Sequence, residues 1–298
     1  MEIQYLKSSQ IDKVKWNSCV HYANNGNIFG YMWFLDHVAK EWDALVEGDY
    51  ESVFPLVWRP RRFGRKALVQ PRLMRELGIY SIHVLSPTRI QAFLQAIPEE
   101  FKHIDIALNE QNPPPSGMGF ELRERENYQL WLNRSYEELF DGFSTALAQK
   151  LQTAEDAGLM LTGGLKPEAI ADFFRLYTPP HPQAEQDFHA LQRIMYNALH
   201  RGWGFASGVM GRDQQLYAVN FFLYSHGKVV SLAPAESPEG QRLGALPYLF
   251  NGLLRSHAEK PAVLDFNMGG SSGLPQLFGA QANPYFQLRR NNLWLGWL

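Results

Sequence analysis

The sequence predicts an α/β chain built as two similar halves, on three observations. Lys228–Leu232 and Ala262–Phe266 are β-rich runs separated by a helical pattern, the order of a right-handed βαβ unit with parallel strands. A helix pair and a three-strand meander precede that unit, and the first half runs through a comparable order. At 298 residues the chain is long for one domain, so two are the natural expectation. Hydrophobic residues make up 45%, ample for a core, and the 13% aromatic content also suits concave, ring-lined sites.

Charge and cysteine usage narrow the class. A net charge of −2 argues against a dedicated nucleic-acid binder. The single cysteine, Cys19, allows no intrachain disulfide and reads as a small core residue. Met1–Tyr5 lacks the regions of a signal peptide, and no apolar run approaches the ~20 residues that span a bilayer. These features predict a cytoplasmic protein without a membrane span.

In the first half, Ile3–Leu6 is a strand, and helices follow from Ser9 or Gln10 to Tyr22 and over Tyr31–Lys40. Trp42–Glu47 and Ser52–Val57 pair through the Gly48-Asp49 turn. Pro60–Gln70, with Arg59 just before it, reads as a loop-like segment carrying Arg61, Arg62, Arg65 and Lys66. It is either an anion-binding patch, with Arg61 and Arg62 on substrate, or a solvated hairpin tip. Gly78–His83 and Ile104–Leu108 are strands around a helix opened by Pro87. Phe120–Asn133 is one long strand or a pair. Ser135 and Glu138 then form a capping box for a helix that runs to Gly158.

The second half opens with Leu159–Leu161, then helices Pro167–Tyr177 and Asp187–Arg201. The meander is Trp203–Met210, Gln215–Tyr224 and Lys228–Leu232. After a polar loop, Gln241-Arg242-Leu243-Gly244-Ala245 is expected to open a helix reaching His257. Asn267–Gly273 is a Gly-rich turn, and Tyr285–Arg290 and Leu293–Trp297 close the chain as edge strands. In such sheets ligands sit beyond the carboxyl ends of the strands, here Ala233–Gly244 and Asn267–Gly273. Free N–H groups at a helix start attract anions, phosphate included.

This order resembles the GNAT acyltransferase fold. The chain as a whole resembles the FemAB-like branch, in which two GNAT-like domains stand in tandem. Three passages carry the likeness. They are Tyr128-Gln129-Leu130-Trp131-Leu132 running into Ser135–Gly158, the small-residue helix Gly240–His257, and Leu264-Asp265-Phe266-Asn267-Met268-Gly269-Gly270 with Gly279-Ala280 and Pro284-Tyr285-Phe286. The resemblance implies a GNAT-like domain over 1–134, a bridging helix over 135–157, and a second GNAT-like domain over 158–298.

It also implies an acyltransferase that moves an acyl group from acetyl-CoA or another acyl-CoA to a small-molecule or peptide-like amine, with no metal. Gln241 and Gly244 fit the acyl-CoA loop [RQ]-x-x-G-x-[GA], but its last position is Leu246. Phe278 stands where many such enzymes carry an acidic tyrosine. The bridging helix has mainly Lys150 as a cation, and no coiled-coil arm is inserted, which argues against aminoacyl-tRNA as donor. Two alternatives stay open: a non-catalytic ligand-binding module on this scaffold, and an aminoacyl transferase acting on a cell-wall precursor. The sequence is silent on oligomeric state.

The chemistry asks for a held donor, a neutral amine and oxyanion donors. Backbone N–H groups around Leu232, Ala233 and Pro234 are candidates for the oxyanion, and Gln241, Arg242, Leu243, Gly244 and Ala245 for a pyrophosphate. Asp265 or Glu236 is the candidate base. Asp265 has the alternative of capping the glycine turn. Tyr285 is a candidate for the missing acid, or else a core tyrosine. Asn267 and Asn220 are candidates for the acceptor pocket. An amide within Val219-Asn220-Phe221-Phe222 must find partners in any case. The nine histidines show no metal-ligand spacing, and neither a P-loop nor a G-x-S-x-G elbow is present.

Overall fold

The computed structural model divides into two compact units whose boundary does not follow the chain midpoint, because the C-terminal strand belongs with the first unit. It describes residues 2–61, 65–179, 181–269 and 273–291. One unit comprises 1–125 with 284–298, and the other 126–283.

The first unit begins with β1 (Ile3–Lys7), α1 (Lys13–Tyr22) and α2 (Met32–Val38). Asp12 caps α1, its carboxylate accepting from Val14 N and Lys15 N, so the helix starts later than Ser9. Then come β2 (Glu41–Glu47), β3 (Ser52–Pro60), β4 (Lys66–Val69), β5 (Tyr80–Ser81), α3 (Pro87–Gln95) and β6 (Phe101–Ala107). The Arg-rich segment is therefore not a plain loop. Trp58 and Leu68 pair across an antiparallel β3–β4 hairpin, with Arg61 N donating to Arg65 O at its tip. Gly78–His83 keeps only two residues of strand. Trp16 is fully buried, packs edge-on against Trp42 at 5.2 Å, and donates its indole N–H to Gly30 O.

The strand order here is β1-β2-β3-β4-β6-β14, where β14 is Gln281–Asn291. β4 and β6 are parallel, while β14 runs antiparallel to β6. The expected strand Leu293–Trp297 lies outside the described residues.

The second unit begins within β7 (Glu121–Trp131), which is a single long strand. The expected bridging helix is two helices, α4 (Tyr136–Asp141) and α5 (Thr145–Asp156), each with its own serine cap, Ser135 and Ser144. Gly142 ends the first and Ser144 N donates to Leu277 O, so the backbone turns before restarting. β8 (Met160–Gly163), α6 (Pro167–Tyr177), α7 (Ala184–His200), β9 (Gly204–Met210), β10 (Leu216–Ser225) and β11 (Lys228–Ser231) follow the predicted order.

Then come β12 (Ala235–Glu236), α8 (Pro238–Leu243), α9 (Ala245–His257), β13 (Val263–Asp265) and α10 (Leu274–Leu277). The order is β7-β13-β11-β10-β9-β8, with β12 on β10. β11 and β13 are parallel, joined by α9 as the βαβ crossover. Leu147, Leu151, Leu249, Phe250, Leu254, Phe266 and Phe278 pack into one core beneath the sheet.

Both units thus carry a parallel pair with a helical crossover, β4–α3–β6 and β11–α9–β13. Each pair is flanked by an antiparallel strand from elsewhere in the chain. No helix among the described residues is long and apolar enough to cross a membrane.

Candidate active site

The parallel pair β11/β13 is in register from Lys228↔Val263 to Val230↔Asp265. Beyond that point a short polar chain holds the strand ends. Asn267 adopts φ 53°, a left-handed turn that asparagine tolerates better than most residues. Its backbone N–H donates to Asp265 Oδ1 at 2.8 Å, an Asx turn, and its Nδ2 donates to Ser231 O at 2.9 Å. The Asp265 carboxylate also accepts from Asn127 Nδ2 at 2.9 Å and Gln129 Nε2 at 3.3 Å. Asn220, fully buried, donates to Ser231 Oγ at 2.9 Å and accepts from Ala233 N at 3.2 Å.

This wiring changes what the predicted groups do. Leu232 N donates to Phe221 O, Ala233 N to Asn220, and Pro234 has no N–H, so these are not free oxyanion donors. Asp265 is buried and serves as acceptor for its own turn and for β7. Asn220 and Asn267 are joined through Ser231, one on each side of the strand end.

The Gln241–Ala245 stretch also differs from expectation. α8 starts at Pro238 under the Ser237 cap, so Gln241 and Arg242 sit near its end, both exposed, with Arg242 paired to Glu239. Leu243 closes α8. Gly244, φ 71°, ends α8 and starts α9. A Cβ on Gly244 would stand 2.8 Å from Lys150 O. Glycine is needed there because α5 packs against it. Ala245 is buried beside it.

The start of α9 already faces an anion. Leu246 N donates to Glu236 Oε2 at 3.4 Å. Burial pushes the Glu236 carboxyl above the usual range, while the Leu246 N–H and the Lys150 charge pull it down by less. A carboxyl whose folded pKa is raised contributes stability below its unfolded pKa and loses it as pH rises through the folded value. Glu236→Gln is therefore expected to raise Tm at pH 8, with the gain vanishing near pH 4. Equal melting curves across that range would contradict the assignment.

The other predicted residues lie in the first unit. Tyr285 has the Arg75 guanidinium 5.9 Å from its ring centroid. Arg75 pairs with the buried Glu76 at 3.1 Å, Glu76 accepts from Asn27 Nδ2 at 2.8 Å, and Tyr80 OH donates to Asn27 Oδ1 at 3.0 Å. Arg61 is exposed at the hairpin tip, and Arg62 lies outside the described residues. Phe278 is buried against Phe143, Phe250 and Phe266.

The sequence reading missed Gln70. Its backbone N–H donates to Asp105 O, its Oε1 accepts from Ala107 N at 3.0 Å, and its Nε2 donates to Met74 O at 2.7 Å. It extends the β4/β6 pair through a side-chain amide, as Asn267 does for β11/β13. The only signal was a Gln directly after an apolar run. No group of three or more His, Cys, Asp or Glu side chains that could hold a metal ion occurs among the described residues.

Solved structures share this arrangement. FemX is similar over 96% of this chain and 97% of its own, at TM-score 0.64 and 11% identity. L-PGS from Bacillus licheniformis is similar over 95% and 93%, at TM-score 0.55 and 12% identity. A tandem GNAT protein from the clavulanic acid biosynthesis pathway is similar over 97% and 98%, at TM-score 0.50 and 11% identity. No family model matches the sequence, and no curated protein matches it. The chain has the tandem GNAT-like fold.

Proposed function

We propose that this protein transfers an acyl-type group to an amine, with Glu236 as the proton acceptor and with a donor other than a CoA thioester gripped at α9. The fold and the FemAB-like sequence passages support group transfer. The observation that carries the choice of donor is the Glu236 carboxylate against the Leu246 N–H. A pyrophosphate there would have to displace the Glu236 carboxyl from the Leu246 N–H. The same carboxyl, pushed up by burial, is suited to accept a proton from the acceptor's ammonium group. Loss of that proton leaves the neutral amine free to attack the donor carbonyl, so that the amide C–N bond forms as the acyl bond to the donor breaks and the leaving group departs with the amine's second proton.

The test is calorimetric titration of the full chain with acetyl-CoA and free CoA, beside filter retention of bulk aminoacyl-tRNA. Silence with both CoA ligands is the expected result, and micromolar acetyl-CoA binding by the parent protein overturns the reading. Retained aminoacyl-tRNA would identify the donor. A second reading, a non-catalytic binding module, draws on the paired Leu232 and Ala233 N–H groups. It takes over if neither donor class binds and Glu236→Gln leaves every acceptor affinity unchanged.

A further inference from the structure

The first unit carries a cavity of about 350 Å³ lined by Leu94, Gln95, Ile97, Glu99, Lys102, Met118, Phe120 and Arg290. Strand geometry explains why two cations meet there. Arg290 on β14 stands opposite Ile104 on β6, and opposed residues of an antiparallel pair project to the same face. Lys102 lies two positions before Ile104, so it shares that face. The end of α3 and the segment reaching Phe120 supply the apolar walls.

Arg290 is the unusual member. Its guanidinium carbon lies 4.8 Å from the Phe120 ring centroid, a cation–π contact. Its Nε is buried and has no hydrogen-bond partner. Among the described residues no carboxylate pairs with Arg290 or with Lys102. Burial pushes the guanidinium pKa down, the mark of a charge that has lost water without gaining a counter-ion. A half-buried, unpaired charge is costly, and an incoming anion relieves that cost.

We propose that this cavity is a binding site for a small monocarboxylate with an apolar body. The carboxylate meets the fork of Arg290, with Lys102 adding a second positive charge, and the apolar part packs on Leu94, Ile97, Met118 and Phe120. Planar two-oxygen recognition is what a guanidinium does better than an ammonium. Glu99 in the same wall disfavours a dianion such as phosphate. The site lies in the first unit and does not depend on Glu236, so the two readings stand or fall separately.

The probe is benzoate, titrated into the full chain by calorimetry while the arginine Nε–Hε resonances are followed by NMR. The expected result is a Kd of about 0.1–1 mM with one Nε–Hε signal shifting. Arg290→Gln weakens binding at least tenfold, and Arg290→Lys weakens it less. Phe120→Ala, which leaves the charge in place, also weakens binding and covers the case in which an Arg290 variant fails to fold. Three outcomes overturn the proposal: no shift in the parent protein at 20 mM benzoate, tighter binding of inorganic phosphate than of benzoate, or unchanged affinity in a folded Arg290→Gln variant.

Discussion

Asp265→Ala lowers the free energy of unfolding by about 3–5 kcal/mol, measured by chemical denaturation. The reason is the number of donors left behind. Asn127 Nδ2, Gln129 Nε2 and Asn267 N all aim at this carboxylate. Asn127 is itself almost fully buried, so water cannot replace the lost acceptor without entering the core. Asp265→Asn is no rescue. It keeps the shape but turns one acceptor oxygen into a donor that faces other donors. A catalytic base would behave differently, because the asparagine variant would then keep its stability and lose activity. Stability within about 1 kcal/mol of the parent for both variants would sink the structural assignment.

The polar chain at the strand ends was half legible. An amide inside Val219–Phe222 had to be satisfied, and Asn220 is, through Ser231 and Ala233. That Asn267 holds Ser231 from the other side needs its left-handed turn, which sequence alone does not fix. The βαβ order and the meander followed from local alternation and turn residues. The neighbours of β7 and β14 did not, because both pairings join segments far apart in the chain and leave no local periodicity to read. The composition of the Arg-rich segment points to a loop, yet Trp58 and Leu68 supply the cross-strand pair that closes a hairpin. At α4 the Ser135–Glu138 capping box forms as the sequence predicts, but a second serine cap, Ser144, restarts the helix as α5.

Gly244 shows how a motif can match while its physical cause differs. Gln241 and Gly244 fit the pattern of an acyl-CoA loop. The structure instead puts Lys150 O where a side chain would begin, on a residue at φ 71°. Gly244→Ala therefore meets two costs. The left-handed conformation costs about 1–2 kcal/mol for a residue with a Cβ, and the clash with a helix backbone adds about 1–3 kcal/mol as an overpacking term. Gly244→Glu adds a longer side chain against the same helix and is expected to lose about 3 kcal/mol or more, a Tm drop of about 6 °C. Loss of ligand binding in that variant would report unfolding as readily as a blocked site, so melting has to be read first. If Gly244→Ala melted within about 1 °C of the parent, α5 would have to yield at Lys150. The start of α9 would then be open to an anion, and the argument against a pyrophosphate would rest on Glu236 alone.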